Sequence, residues 1–205
     1  GKTKLIGGVL TLVGGVLAVI RFRMGGADNP IEPETFQAFN PLFIVTLTFA
    51  VMAFFAMLNR KGMEPSTPKK IGIGMIIAAF GFVIMVIGSR SLISPHELNG
   101  MPVPDASRIT PYWLMSSYLI LTFAELFLSP MGLSFVSKVA PTRFQGLMQG
   151  GWLLATAVGN KLLFIGSFFW EKIELWQLWL IFVVTCLLSA AFIFSIVKRL
   201  ERATQ

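Results

Sequence analysis

Histidine, cysteine and charge are scarce in this 205-residue chain: His96 is the only histidine, Cys186 the only cysteine, and charged residues make up 13%. One cysteine excludes an internal disulfide and, with one distant histidine, excludes both a zinc site and a Cys–His nucleophile pair. No run alternates polar and apolar residues, so a transmembrane β-barrel is excluded. No glycine-rich loop follows a strand, so a phosphate-binding loop is absent. No basic cluster with interleaved aromatics sits on a soluble face, so nucleic acid is not an expected partner. A cofactor is not implied, and soluble-enzyme chemistry has no support.

What the chain has is long apolar runs, with 55% hydrophobic residues. They lie at about 5–20, 40–58, 71–88, 112–136, 146–168 and 175–197. Each approaches or exceeds the roughly 20 residues that cross a bilayer as a helix. The first is short and needs Lys4 and Arg21 to snorkel at its ends. The expectation is an all-α polytopic membrane protein of about six helices. Arg21 and Arg23 before Gly25-Gly26-Ala27 disfavour reading the first run as a signal peptide. Gly7, Gly8, Gly14 and Gly15 give that run a flat packing face. The chain begins at Gly1 without an initiator methionine, which points to a segment of a longer product.

With the N-terminus placed inside, the Lys and Arg residues divide eleven inside to five outside, with Lys161 within a span. The positive-inside rule then puts both ends in the cytoplasm. The net charge of +7 therefore reflects topology. The outer loops 21–39 and 89–111 are long and proline-rich, expected as coil with short turns, and the inner loops 59–70 and 137–145 are shorter and basic. In the first inner loop Pro68 is placed for the first turn of the next helix.

Glu125 is the residue that asks for a function. A carboxylate deep in a membrane span costs roughly 2.5–3.5 kcal/mol on insertion scales, and such residues mark solute or proton pathways. Pro130, five residues on, removes the donor for the Leu126 carbonyl and is expected to kink the helix beside the acid. Tyr118, Thr122, Glu125, Ser129 and Gly132 advance by helical steps and share one face. Gln149, Trp152, Thr156 and Asn160 form a second stripe. Gln37, Asn40, Thr46 and Thr48 mark a third span. Polar stripes on three helices fit a water-filled cavity, and they also fit ordinary hydrogen bonds between helices. An intramembrane enzyme would need a catalytic partner near Glu125, and neighbouring positions offer no His, Asp or reactive Cys.

Three stretches together resemble one family: Phe36-Gln37-Ala38-Phe39-Asn40-Pro41-Leu42-Phe43; Ala124-Glu125-Leu126-Phe127-Leu128-Ser129-Pro130-Met131-Gly132; and Ala140-Pro141-Thr142-Arg143-Phe144-Gln145-Gly146 running on to Gly151-Trp152 and to Thr156 and Asn160. With Pro65-Ser66-Thr67-Pro68-Lys69-Lys70, they resemble the proton-dependent oligopeptide transporters of the major facilitator superfamily, in the sequence style of Bacteroidetes members. The resemblance covers about 36–198. It implies the C-terminal half of a major facilitator fold: an accessory helix at 1–23, an external loop at 24–39, and helices eight to twelve of the parent at 40–205.

The resemblance further implies proton-coupled uptake of di- and tripeptides across a bacterial inner membrane. Glu125 would bind the peptide amino terminus, and Trp152 would line the cavity. Asn40, Ser129 and Thr156 would add polar contacts, while Pro130 and Gly132 would let the tenth helix flex as a gate. The family's E-x-x-E-R motif is absent, as are the cationic residues that hold the peptide carboxylate; both belong to the missing N-terminal half. A further family proline is replaced by Phe49. The alternatives are another facilitator, for sugars or drugs, and a non-transporting membrane scaffold.

Overall fold

The computed structural model describes residues 36–98, 101, 104 and 110–202, and no strand occurs among them. The first apolar run, its glycine face and most of the 24–39 loop lie outside the described residues. The helices are α1 (Phe39–Arg60), α2 (Thr67–Ser89), α3 (Pro95–Leu98), α4 (Tyr112–Val139), α5 (Gln145–Leu162), α6 (Phe164–Phe169) and α7 (Leu175–Arg202), with a 3₁₀ turn at Thr142–Phe144 before α5. Five helical stretches of the described residues are long and apolar enough to span a bilayer, α5 and α6 counting as parts of one. They coincide with the last five runs read from the sequence. The chain is a multi-pass, all-α membrane protein.

The chain divides into two compact units, Gly1–Met63 and Glu64–Gln205. In the first, the rings of Phe36, Phe39 and Phe43 meet in tilted pairs along the start of α1 at 5.8–6.1 Å. Val51 and Phe55, one turn apart, are its buried residues. The helix ends where Gly62 takes φ 64°, letting the N–H groups of Gly62 and Met63 turn back to the carbonyls of Asn59 and Leu58. A side chain would strain that left-handed position, so glycine closes the helix.

In the second unit α2 is the central element. Ser66 precedes the helix and Pro68 occupies its first turn, where a missing N–H is harmless. Gly74, Gly81 and Gly88 recur every seven residues and so lie on one face. Against them run Phe127 with Ala124, then Leu121, then Trp113, which makes α4 antiparallel to α2. Apolar helices gain no hydrophobic driving force from meeting each other in lipid, so close contact must hold them. Here the backbones approach closely enough for Ser117 Oγ to donate to the Gly81 carbonyl at 3.0 Å.

The opposite face of α2 meets α7. Gly72 lies under the Phe194 ring, while Ala79, Val86 and Val183 form a buried cluster with Phe82, Trp179 and Cys186 around it. Phe82 stacks on Phe182 at 5.3 Å and on Trp179 at 6.3 Å.

Polar clasps close both ends of the α2–α7 pair. At one end Glu201 accepts from Ser66 Oγ at 2.5 Å and pairs with Lys69 at 2.8 Å, while buried Lys70 pairs with Glu64. At the other, fully buried Ser94 donates to Glu174 Oε2 at 2.5 Å and accepts the Leu175 N–H at 3.1 Å. Gln177 Oε1 takes the Glu174 N–H at 3.3 Å, so the first turn of α7 is capped from within its own helix and from a distant loop.

One expectation needs adjustment. The 146–168 run is divided at Leu163, where its N–H bonds Asn160 O at 3.3 Å and its carbonyl takes the Gly166 N–H at 2.9 Å. These tighter three-residue bonds interrupt the α-helix. By contrast α4 continues through Pro130 without interruption, although proline cannot donate to the Leu126 carbonyl.

Candidate functional site

α4 presents two sides to its neighbours. Trp113, Ser117, Leu121, Ala124 and Phe127 follow helical spacing and meet α2. Glu125 is rotated by about 100° from Ala124 and by about 40° from Leu121, which places it at the edge of that seam. Gly132, seven residues from Glu125, is therefore on nearly the same face and about 10 Å along the axis. At Gly132 the indole of Trp152 from α5 lies directly on the backbone: a Cβ there would meet Trp152 Cε2 at 3.0 Å and its outer ring carbons closer still. The structure thus brings Trp152 onto the Glu125 face.

Beyond this contact, toward the α4–α5 connection, Gln149 Nε2 donates to Ser137 Oγ at 3.0 Å and Gln145 Nε2 donates to the Ser137 carbonyl at 3.3 Å. The pairs 132–152 and 137–149 show that α4 and α5 are antiparallel. Equal rise along the two helices puts Thr156 near the level of Ser129, and Asn160 near that of Glu125. Ser129, Thr156 and Asn160 are exposed, and Thr156 Oγ1 donates only within its own helix, to Trp152 O at 3.0 Å.

Glu125 itself is half-buried and makes no hydrogen bond or ion pair among the described residues. That leaves an acceptor-only group in apolar surroundings, suited to a cationic donor. Thr122, from the same sequence stripe, turns out to be buried to 1% exposure and belongs to the packed interior. Lys161 is exposed. Asn40 and Pro41 stand in the first unit, on α1, so their place relative to Glu125 is not part of this geometry. Pro130 is exposed and Gly132 buried.

The candidate site is therefore Glu125, Ser129, Gly132, Trp152 and Thr156, carried by α4 and α5. Gly132 has a role that the gating expectation did not include, as the seat of the indole. Ser137 was not singled out from sequence; its spacing of five from Gly132 carries no periodic signal. No group of three or more His, Cys, Asp or Glu residues able to hold a metal occurs among the described residues. A shallow apolar groove lined by Leu180, Ile181 and Val184 lies on α7, a different helix, and contributes nothing to this site.

Comparison with known proteins gives one consistent picture. Residues 20–173 match the profile of the POT family (PTR2). The chain is 34% identical over 125 residues to the peptide transporter YePEPT of Yersinia enterocolitica, a match covering 61% of this chain and 23% of that protein. It is 32% identical over 130 residues to dipeptide and tripeptide permease A of Escherichia coli K12, covering 63% and 23%. The chain thus spans about a quarter of the length of these curated relatives. Among solved structures, it is similar to a peptide transporter POT in complex with sulfate, with TM-score 0.70, 26% identity, and coverage of 87% of this chain and 33% of that one. It is also similar to a glutamate-to-glutamine mutant of peptide transporter POT in complex with alafosfalin, with TM-score 0.67, 27% identity, and coverage of 86% and 34%.

Proposed function

Because this chain belongs to the POT family, we propose that it is the C-terminal membrane portion of a secondary active transporter that takes up di- and tripeptides with protons. The observation that carries this reading is Glu125: a carboxylate within a membrane helix, without a protein partner among the described residues, on the face where Trp152 is seated. An ammonium group offers such a carboxylate charge-assisted hydrogen bonds, roughly twice as strong as neutral ones. Glu125 receives the amino terminus of the peptide. Trp152 presents its ring to peptide side chains. Ser129 and Thr156 supply hydroxyls between the two, and Asn40 supplies a donor and an acceptor for peptide amides or termini. Pro130 and Gly132 act in gating, where the missing hydrogen bond at Leu126 lets α4 bend as the cavity changes sides.

The rest of the parent protein completes the cavity. Its N-terminal half carries the proton-binding groups and the cations for the peptide carboxylate. In this reading 40–205 carry the transporter helices, and the resemblance assigns 1–23 to an accessory helix and 24–39 to an external loop. The distribution of Lys and Arg supports both ends of the segment being cytoplasmic in a bacterial inner membrane. The many exposed apolar side chains, Phe49 at 70% and Leu188 at 66% among them, support direct contact with lipid.

The test is uptake of labelled dipeptide into proteoliposomes by the full-length parent, wild type against Glu125→Gln. Wild type accumulates peptide when an inward proton gradient is imposed, and the variant does not. Normal uptake by a correctly inserted Glu125→Gln protein would remove the assigned role. Uptake indifferent to the gradient would remove the proton coupling and leave peptide binding standing.

A further inference from the structure

We infer that Ser137 and Gln149 are positioning residues for the cavity: their hydrogen bond staples α4 to α5 and holds the Trp152 indole on Gly132. The inference rests on the peptide-transport reading and concerns how the same site selects side chains.

The contact between α4 and α5 is small beside that between α2 and α4, so few interactions fix the angle between them. Two of these are adjacent on the same faces. Gln149 lies three residues before Trp152, nearly one helical turn, and so shares its side of α5. Its amide nitrogen donates to Ser137 Oγ at 3.0 Å. That hydroxyl is itself aimed by donating to the Leu133 carbonyl at 2.9 Å, within α4. Leu133 directly follows Gly132, so the staple is anchored to the turn of α4 on which the indole rests. Gln145 adds a second bond to the Ser137 carbonyl at 3.3 Å.

Among the described residues the indole has no hydrogen bond of its own to hold it at Gly132. Its position follows from the closeness of the two backbones, and the staple sets that closeness. Loosening it moves the ring while leaving Glu125 where it was, since Glu125 belongs to the helix that α2 holds in place. The effect should therefore depend on the peptide side chain. A dipeptide with a bulky side chain reaches the ring, and glycylglycine uses only its termini and amide.

The test uses the full-length transporter in proteoliposomes with Ser137→Ala, Gln149→Ala, the double variant and Ser137→Thr. Ser137→Ala and Gln149→Ala should each raise KM for a bulky dipeptide about three- to tenfold, the range of one interhelical hydrogen bond. KM for glycylglycine and kcat for both substrates should stay near wild type. The double variant should match the singles, because either change breaks the same bond, and Ser137→Thr should behave as wild type because it keeps the hydroxyl. Equal KM changes for both dipeptides, or losses that add in the double variant, would overturn the proposal. Melting temperatures of the purified proteins give a reading that involves no substrate: equal decreases in the singles and the double support the staple, and additive decreases overturn it. A wild-type parent that carries no dipeptide at all refutes the proposed function instead, and the melting series still decides the staple.

Discussion

Gly132→Ala isolates the contact on which the site's geometry turns. The added methyl would lie 3.0 Å from Trp152 Cε2 and closer to Cζ2 and Cη2, inside any ordinary carbon–carbon contact. An indole is a rigid bicycle and cannot bend aside, so either the ring or α5 must move. Overpacking of this kind costs about 1–3 kcal/mol. Against it, replacing glycine by alanine within a helix gains about 0.8–1.0 kcal/mol. The net loss of stability is about 0–2 kcal/mol, read as a lowered melting temperature. The ring leaves its seat in either case. A displaced aromatic contact worth about 0.5–1.5 kcal/mol corresponds to a KM increase of roughly two- to thirteenfold for dipeptides whose side chains reach it. The assay pairs melting of the purified full-length protein with dipeptide uptake in proteoliposomes. Adding Trp152→Phe, which shortens the ring, should restore the melting temperature lost by Gly132→Ala. If Gly132→Ala instead raises the melting temperature by the full helix gain and leaves KM unchanged, the indole does not rest on Gly132 and the reasoning fails.

Other consequences concern the packing that holds α4. Gly74→Ala would press on Phe127 Cβ at 2.9 Å and on the Ala124 carbonyl at 3.2 Å, whereas Gly81→Ala would meet only side-chain atoms, Cγ and Cδ2 of Leu121 at 2.9 Å, which can shift by rotation about χ1. Gly74→Ala should therefore lower the melting temperature more than Gly81→Ala, by about 1–3 kcal/mol against under 1 kcal/mol; equal shifts would contradict the seam described for α2 and α4. Ser94→Ala removes the hydroxyl that accepts the Leu175 N–H at 3.1 Å and donates to Glu174 at 2.5 Å. It should cost about 1–2 kcal/mol, seen as a lower melting temperature without a change in dipeptide KM.

Much of this architecture was legible along the chain. Apolar runs marked the five described spans because a bilayer imposes length and composition on each helix separately. Pro68 announced the start of α2, and the spacing of Glu125, Ser129 and Gly132 gave their common face. The remainder depends on partners distant in sequence. Thr122 shared the period of the polar stripe with Ser129, yet Thr122 is buried and Ser129 exposed, a difference that spacing alone does not carry. Gly74, Gly81 and Gly88 carry a seven-residue spacing that could have been read as a packing stripe, but not which helix fills it. Ser94-Pro95-His96-Glu97 has capping-box spacing, and Glu97 does accept the Ser94 N–H at 3.3 Å. The Ser94 bond to Glu174 has no such local sign. Likewise Gly132 looked like a hinge, and only its contact with Trp152 reveals a seat. The break at Leu163 lies inside a run read as one span, where hydropathy is silent about hydrogen-bond register.

The claim that matters most is that the Glu125 carboxylate receives a peptide's amino terminus. It is tested most directly by binding of one dipeptide in two forms, with a free amine and N-acetylated, to purified full-length wild type and Glu125→Gln. Wild type should bind the free form at least tenfold more tightly, a difference of about 1.4 kcal/mol, and Glu125→Gln should bind both forms with the same weak affinity. Undiminished preference for the free amine in Glu125→Gln would contradict the claim.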